Sequence, residues 1–218
     1  MHGMIEFILQ ISLIKTIYCN LHYFGFKGLL HRYAIVSKKT ALKRIEGKII
    51  LDDPKKHCLR IGFGHNELLD FKYERSIFWN EGVIIVRGLC HLNQGFRVYN
   101  RGTIDFGDSF VVTGNSSVIC MKHIQFGKDC LISWGVSIMD TDFHTIVSLK
   151  EGKIINENEE VIIGKHCWIC SDVTVLKGVT IPDNCVIGSG SIVSKSFNIC
   201  NSIIINNRIV RENIIWNH

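Results

Sequence analysis

Every sixth residue from Ile163 is aliphatic and β-branched: Ile163, Ile169, Val175, Ile181, Ile187 and Val193. Four positions after each stand Cys167, Val173, Val179, Cys185, Ser191 and Phe197, mostly small or apolar. A period of six is neither that of a helix (3.6) nor that of simple strand alternation (2.0). It marks a chain that winds as a parallel β-helix, with short flat segments joined by tight corners. Three such steps make one coil of about 18 residues, with strands of successive coils about 4.8 Å apart.

The repeat divides the chain. Residues 1–45 read as a helix and a basic connection carrying Lys38, Lys39, Lys43 and Arg44, and residues 46–218 as the β-helix domain with a C-terminal cap. Short β runs begin at Gly47, but the coil register before residue 100 is not fixed. Regular steps appear at Phe106, Val112 and Val118, shift by two, and resume at Phe126, Ile132 and Ile138. They stop over residues 139–160, a polar stretch that reads as a loop protruding from one face. Residues 198–218 read as a terminal strand and a short helix that cap the open end.

At 218 residues and 46% apolar, the chain can bury one sizeable core. A net charge of +5 is too small and too scattered for nucleic-acid binding, but suits an anionic ligand. The odd count of nine cysteines and the lack of a secretory leader pattern predict reduced thiols in a cytoplasmic protein. Cys130, Cys167 and Cys185 fall on the small inward slot of the repeat. Cys167 and Cys170 form a CxxC pair, yet they occupy different slots and have no second pair to complete a zinc site. Within residues 4–19, Met4, Phe7, Ile8, Ile11, Ile14 and Tyr18 recur at helical spacing. The stretch is short for a membrane span and includes Glu6 and Lys15. This amphipathic helix is expected to pack on the body or on a neighbouring subunit, with weak membrane-surface association as the second reading.

The stretch from Ile163-Gly-Lys-His-Cys-Trp-Ile to Ser189-Gly-Ser-Ile-Val-Ser-Lys195 resembles the hexapeptide-repeat acyltransferases. With Phe106-Gly-Asp-Ser-Phe and Ile132-Ser-Trp-Gly-Val-Ser-Ile-Met-Asp-Thr-Asp-Phe-His144, it is most similar to the bacterial O-acetyltransferases that modify surface polysaccharides and lipopolysaccharides. The resemblance covers roughly residues 80–215. It implies a left-handed β-helix, a homotrimer with active sites between subunits, and acetyl-CoA as co-substrate without a metal. The acceptor it implies is a sugar, nucleotide sugar or lipid-linked glycan.

Transfer of acetyl from a thioester to a sugar hydroxyl needs a base that removes the hydroxyl proton during attack. Histidine suits this near neutral pH. Ten histidines occur, and His2, His22, His31, His57, His65, His91, His166 and His218 read as surface or structural. His123, at the two-residue shift, is a rival. His144 stands at the root of the polar loop and matches the family's catalytic histidine. The sugar would then attack the thioester directly. Asp140 and Asp142 could orient its imidazole, with Asp142 preferred, or merely form a turn. The oxyanion donor is expected from the backbone around Ser133-Trp134-Gly135. By resemblance, Ser133, Trp168, Ser171, Ser189, Ser194 and Lys195 face the cofactor, and Thr113, Asn115 and Trp134 the acceptor. Arg208 is a second phosphate contact. There the chain departs from the family: Ile205-Asn-Asn-Arg-Ile209 replaces the usual Gly-Asn-Pro-Ala-Lys.

Two other activities compete on the same scaffold, N-acetylation of an amino or nucleotide sugar and a silent β-solenoid scaffold. The trimeric zinc carbonic anhydrases of this fold need closely spaced histidines, and His144 has none within ten residues.

Overall fold

The computed structural model of the chain describes residues 2–64 and 73–217. His65 and His218 lie outside the described residues, as do the side chains of His2 and Met4.

The body is a left-handed parallel β-helix. Consecutive strands enter three sheets in rotation, and the described residues supply nine, seven and six strands to them. Inward aliphatics stack in columns: Ile84, Ile104, Ile124, Val161 and Val179 line the third sheet, all buried. Each such side chain contributes about 1.5–3 kcal/mol on leaving water. Phe106, Phe110 and Phe126 fill the widest layer, Phe110 lying 4.7 Å from each of the other two ring centroids.

Coil length changes along the stack. Ile163 pairs with Ile181, Ile169 with Ile187 and Val175 with Val193, each 18 positions on. Earlier coils pair Val98 with Val118 and Ile104 with Ile124, 20 positions on. The 18-residue coil expected throughout therefore holds only after the loop. Before it, one side of the triangle is two residues longer, which is the shift between Val118 and Phe126. The added pair lets four-residue strands such as His123–Phe126 form where a later coil has the two-residue strand Thr180–Ile181 in the same sheet. The loop enters between Ser137–Met139 and Val161–Ile163. Val161 consequently pairs with Ile124, 37 positions back.

Both ends differ from expectation. The N-terminal segment forms two helices, α1 (His2–Gln10) and α2 (Leu13–His31), separated where Ser12 caps α2. The stack starts within the segment read as a connection, because Ala34–Val36 and Thr40–Arg44 already pair with the next coil. The apolar stripe, expected to pack on the body or on a neighbouring subunit, mostly faces away from the body: Ile8, Ile14 and Tyr18 are exposed. Polar side chains turn inward instead. Asn20, 1% exposed, donates from Nδ2 to Ala34 O at 2.7 Å and accepts at Oδ1 from Ala34 N at 3.1 Å. Thr16 Oγ1 accepts from Val36 N at 3.1 Å. These side chains replace the strand that would otherwise pair with the open edge of the first coil, so polarity at 16 and 20 is dictated by an unpaired ladder.

At the other end the described residues form no helix where a short one is expected. Ile203–Ile205 continues the first sheet and Arg208–Arg211 folds back antiparallel on it. The tail is then held by Trp216, whose indole stacks on His166 at 4.2 Å and donates to His166 O at 2.8 Å.

Candidate active site

The expected site residues gather at two different corners of the triangular coil. The corner after the first sheet holds Thr113, Asn115, Ser133, Trp134, Ser171 and Ser189, with Trp168 on the strand leading into it. Successive coils superpose there. Thr113 N donates to Ile132 O, Ser133 N to Ile169 O and Cys170 N to Ile187 O. Asn115, Gly135, Asp172 and Gly190 all take positive φ, from 45° to 71°, and make the sharp bend one above another. Trp168 Nε1 donates to Ser133 Oγ at 3.1 Å, so two of the expected cofactor residues are in contact. Ser171 Oγ donates to Ser189 Oγ at 3.3 Å. Arg97 donates to Asn115 Oδ1 at 3.1 Å. Thr113 Oγ1 is buried and has no hydrogen-bond partner among the described residues. Trp134 projects outward, 37% exposed.

The corner after the second sheet holds His144, Asp142, Ser194 and Lys195. His144 is exposed and opens onto a cavity of about 260 Å³ lined by Met121, Thr141, Phe143, Ile154, Asn156 and neighbouring loop residues. The residue before it carries backbone strain: Phe143 has φ of 61°, unusual for a bulky side chain. Thr141 Oγ1 accepts from Phe143 N at 3.0 Å, and the Phe143 ring packs edge-on against Tyr99 at 5.7 Å. These contacts hold the turn that turns His144 outward.

The two aspartates separate cleanly. Asp140 is fully buried and accepts backbone N–H bonds from Met121, Lys122 and His123 at 2.7–2.8 Å. It closes a turn, as the structural reading of it expected. Asp142 is exposed, and its Oδ2 accepts from Lys177 Nζ at 2.5 Å and from Asn156 Nδ2 at 3.0 Å. Lys177 first, then Asn156, hold the Asp142 carboxyl below its ordinary pKa. Among the described residues no side chain hydrogen-bonds the His144 ring. The route from Asp142 to His144 runs instead through Asn156, whose Nδ2 also donates to His144 O at 2.7 Å. Asn156 Oδ1 accepts from Ile146 N at 2.6 Å. One amide therefore grips the chain on both sides of His144.

Lys177 and Asn156 were not singled out in the sequence. Lys177 has one legible signal: it is a charged residue between Leu176 and the corner Gly178 in the regular repeat. Asn156 has none, being one polar residue in a polar loop. The rival His123 pairs through Nδ1 with Glu160 Oε2 at 3.1 Å. His166 bonds Asp129 at 2.6 Å and the tail at Trp216 O, a structural role.

Towards the C-terminus, Lys195 and Arg208 line one open cleft of about 480 Å³ with Ser196, Phe197, Asn198 and Asn207. Asn207 ties this hairpin to the last coil: its Oδ1 accepts from Ser194 N at 2.8 Å and its Nδ2 donates to Ser194 Oγ at 2.9 Å. Ser194 is thus spent on holding the hairpin, while the two cations stay available. The CxxC pair divides as its slots predict. Cys167 Sγ donates to Pro182 O inside the coil, and Cys170 packs in a separate cluster with Val186 and Trp216. Among the described residues no three His, Cys, Asp or Glu side chains are placed to hold a metal.

The chain is similar to known proteins in sequence and fold. Residues 160–195 match the family described as bacterial transferase hexapeptide (six repeats). A polysialic acid O-acetyltransferase of Neisseria meningitidis is 47% identical over 67 residues, which is 30% of this chain and 31% of that enzyme. The chain thus spans less than a third of that relative's length. A 24.8 kDa protein from the cps region of Klebsiella pneumoniae is 28% identical over 224 residues, 96% of each chain. The crystal structure of the polysialic acid O-acetyltransferase OatWY superposes with a TM-score of 0.50 at 28% identity, covering 82% of this chain and 70% of that one. Repeat, coil geometry and relatives agree: residues 160–195 carry the repeat of the bacterial hexapeptide transferases, and the chain around them is similar to members of that family.

Proposed function

We propose that the chain transfers acetyl from acetyl-CoA to a sugar hydroxyl during assembly of a surface polysaccharide or lipopolysaccharide, with His144 as general base. The observation that carries this reading is the mounting of His144. It is exposed on a strained turn, opens onto a cavity, and has its backbone held by Asn156 while its ring keeps both nitrogens open. An imidazole so placed can take a proton from an incoming hydroxyl. The hydroxyl oxygen bonds to the thioester carbonyl carbon, His144 accepts the hydroxyl proton, and the carbon–sulfur bond breaks as the proton passes to the leaving thiolate. Among the described residues no side-chain hydroxyl or thiol hydrogen-bonds the His144 ring, which supports direct attack over an acyl-enzyme route.

Acetyl-CoA supplies the activated thioester. Lys195 and Arg208 in their shared cleft suit its phosphates, each as a cationic donor. Arg208 lines that cleft beside Lys195 although the 205–209 stretch is altered, and Asn207 ties the hairpin to the last coil, which supports this reading. Trp168 and Ser133 at the other corner suit the pantetheine arm, and Thr113, Asn115 and Trp134 the acceptor. The two corners lie on different sides of one coil. A single reaction cleft that uses both requires two copies of the chain, which favours a homotrimer with sites between subunits. The relatives named for polysialic acid make an acidic sugar polymer the first acceptor to try.

The test is incubation with acetyl-CoA and a panel of oligosialic acids, neutral sugars and amino sugars, following thiol release and the acetylated product. Turnover by the wild type that falls at least a thousandfold in His144→Ala supports the assignment. Unchanged turnover in that variant removes His144 as base. Product acetylated on nitrogen moves the activity to amino sugars, and no turnover with any acceptor leaves a scaffold.

A further inference from the structure

We propose that the outward face of the two N-terminal helices docks on an anionic lipid surface. Leu13, Ile14, Ile17, Tyr18 and Leu21 are all exposed, Leu13 by 71% and Ile14 by 83%. At 100° per residue these five positions fall within an arc of about 140° on α2. Ile5, Ile8 and Leu9 continue the exposed apolar set on α1. The opposite side of α2 is already engaged, since Thr16 and Asn20 cap the first strand through hydrogen bonds. The outer apolar face is therefore not needed to hold the helix on the body. Two hollows flank Leu13. One, of about 310 Å³, is lined by Leu13, Ile17, Leu29 and Ile35 with Arg32 among its lining residues. The other, of about 530 Å³, is lined by Ile8, Leu9, Leu13 and Ile14 with Lys38. Neither Arg32 nor Lys38 has an acidic partner among the described residues.

Charge identifies the occupant. Residues 1–45 hold seven Lys and Arg and one acidic residue, Glu6, a net of +6. The remaining residues hold 18 basic and 19 acidic side chains, a net of −1. The net charge that composition alone reads as scattered is thus concentrated in the segment that carries the apolar face. A second copy docked through the same patch would set like charge against like. An anionic bilayer answers both features, accepting the apolar side chains among its acyl chains while its headgroups meet Lys38 and Arg32. Among the described residues no helix is long and apolar enough to cross a membrane, so the pair would lie along the surface.

The experiment is co-sedimentation of the full chain with phosphatidylcholine vesicles and with vesicles carrying 30% phosphatidylglycerol, roughly a physiological anionic fraction. Binding at least tenfold tighter to the anionic vesicles, weakened by salt, is expected. Ile14→Asp/Ile17→Asp should lose at least tenfold, and Lys38→Glu/Arg32→Glu should lose the preference for anionic lipid. Both pairs are exposed, so an unchanged thermal transition separates lost binding from lost folding. Equal binding by wild type and the aspartate variant overturns the proposal, as does no binding to either vesicle. An aspartate variant that shows a smaller oligomer by ultracentrifugation, without any vesicle binding by the wild type, assigns the face to a second copy.

Discussion

Lys177 Nζ lies 2.5 Å from Oδ2 of Asp142, joining the third coil-corner residue of a regular sextet to the root of the protruding loop. The ammonium is mostly covered, with 16% of its side chain exposed, whereas the carboxylate is 42% exposed. The loop that carries His144 is thereby tied to the rigid stack and not only to its own two ends. A depressed carboxyl pKa stabilises the ionised pair above its ordinary value of about 3.9, and that contribution is lost as pH falls through the lower folded value. In Lys177→Met, the Asp142 titration followed by carboxyl NMR should move up towards the ordinary range. Acetyl transfer should fall about two- to fivefold, the scale of one partly exposed ion pair. An Asp142 titration that stays put would show that Lys177 is not its main partner.

Asn156 is the more sensitive anchor. Its amide bonds Asp142, His144 O and Ile146 N at once. Asn156→Ala releases the loop on both sides of the base, and a displacement of about 1 Å can cost on the order of a hundredfold in rate. The expected signature is a kcat reduced by about that factor with KM for acetyl-CoA nearly unchanged, because the Lys195 and Arg208 cleft is built by other residues. A KM that rises in step with the loss of kcat would place Asn156 in cofactor binding instead.

How far the sequence reveals this structure depends on coil length. From Val161 to Val193 each side of the triangle is six residues, so the inward aliphatics recur at one period and the fold is legible. Between Val83 and Met139 the coil is 20 residues. Its third side breaks the period, and the same columns of Ile and Val become hard to follow by spacing. The helices mislead for a different reason. Periodicity assumes that apolar faces turn inward, but the edge of the first coil offers unpaired N–H and C=O groups, so Thr16 and Asn20 turn in and Leu13 and Ile14 turn out. The motif and the interrupted repeat single out His144, and the structure puts it at the root of the loop beside a cavity. Lys177 and Asn156 were not, because their meeting with Asp142 depends on the path of the loop in space.

The edge cap makes a stability prediction. Asn20→Ala removes bonds to both polar groups of Ala34 and to Thr16 O, leaving buried backbone groups unpaired. Each orphaned group costs about 1–3 kcal/mol, so a loss of roughly 2–4 kcal/mol is expected. Thermal unfolding should show a midpoint lower by about 5–12 °C. Leu21→Ala, on the outward face of the same helix, should change stability by less than about 1 kcal/mol. Equal losses in the two variants would mean that α2 is held by its apolar side chains after all.

Thiol reactivity checks the packing of the coils themselves. Eight of the nine cysteines are buried and Cys200 is exposed. Burial pushes Cys19 up to about 12 and Cys185 up to about 11. Cys167 is raised by its contact with Cys130 and by burial. The thiolate is the reactive form, so these groups are both shielded and protonated at pH 8. A disulfide reagent added to the native protein at that pH should titrate one thiol quickly and the other eight only after denaturation. Cys200→Ser should abolish the fast phase. Several fast thiols would mean that the corners holding Cys130, Cys167 and Cys185 open on the time scale of labelling, and that the columns on which both candidate corners rest are looser than their burial indicates.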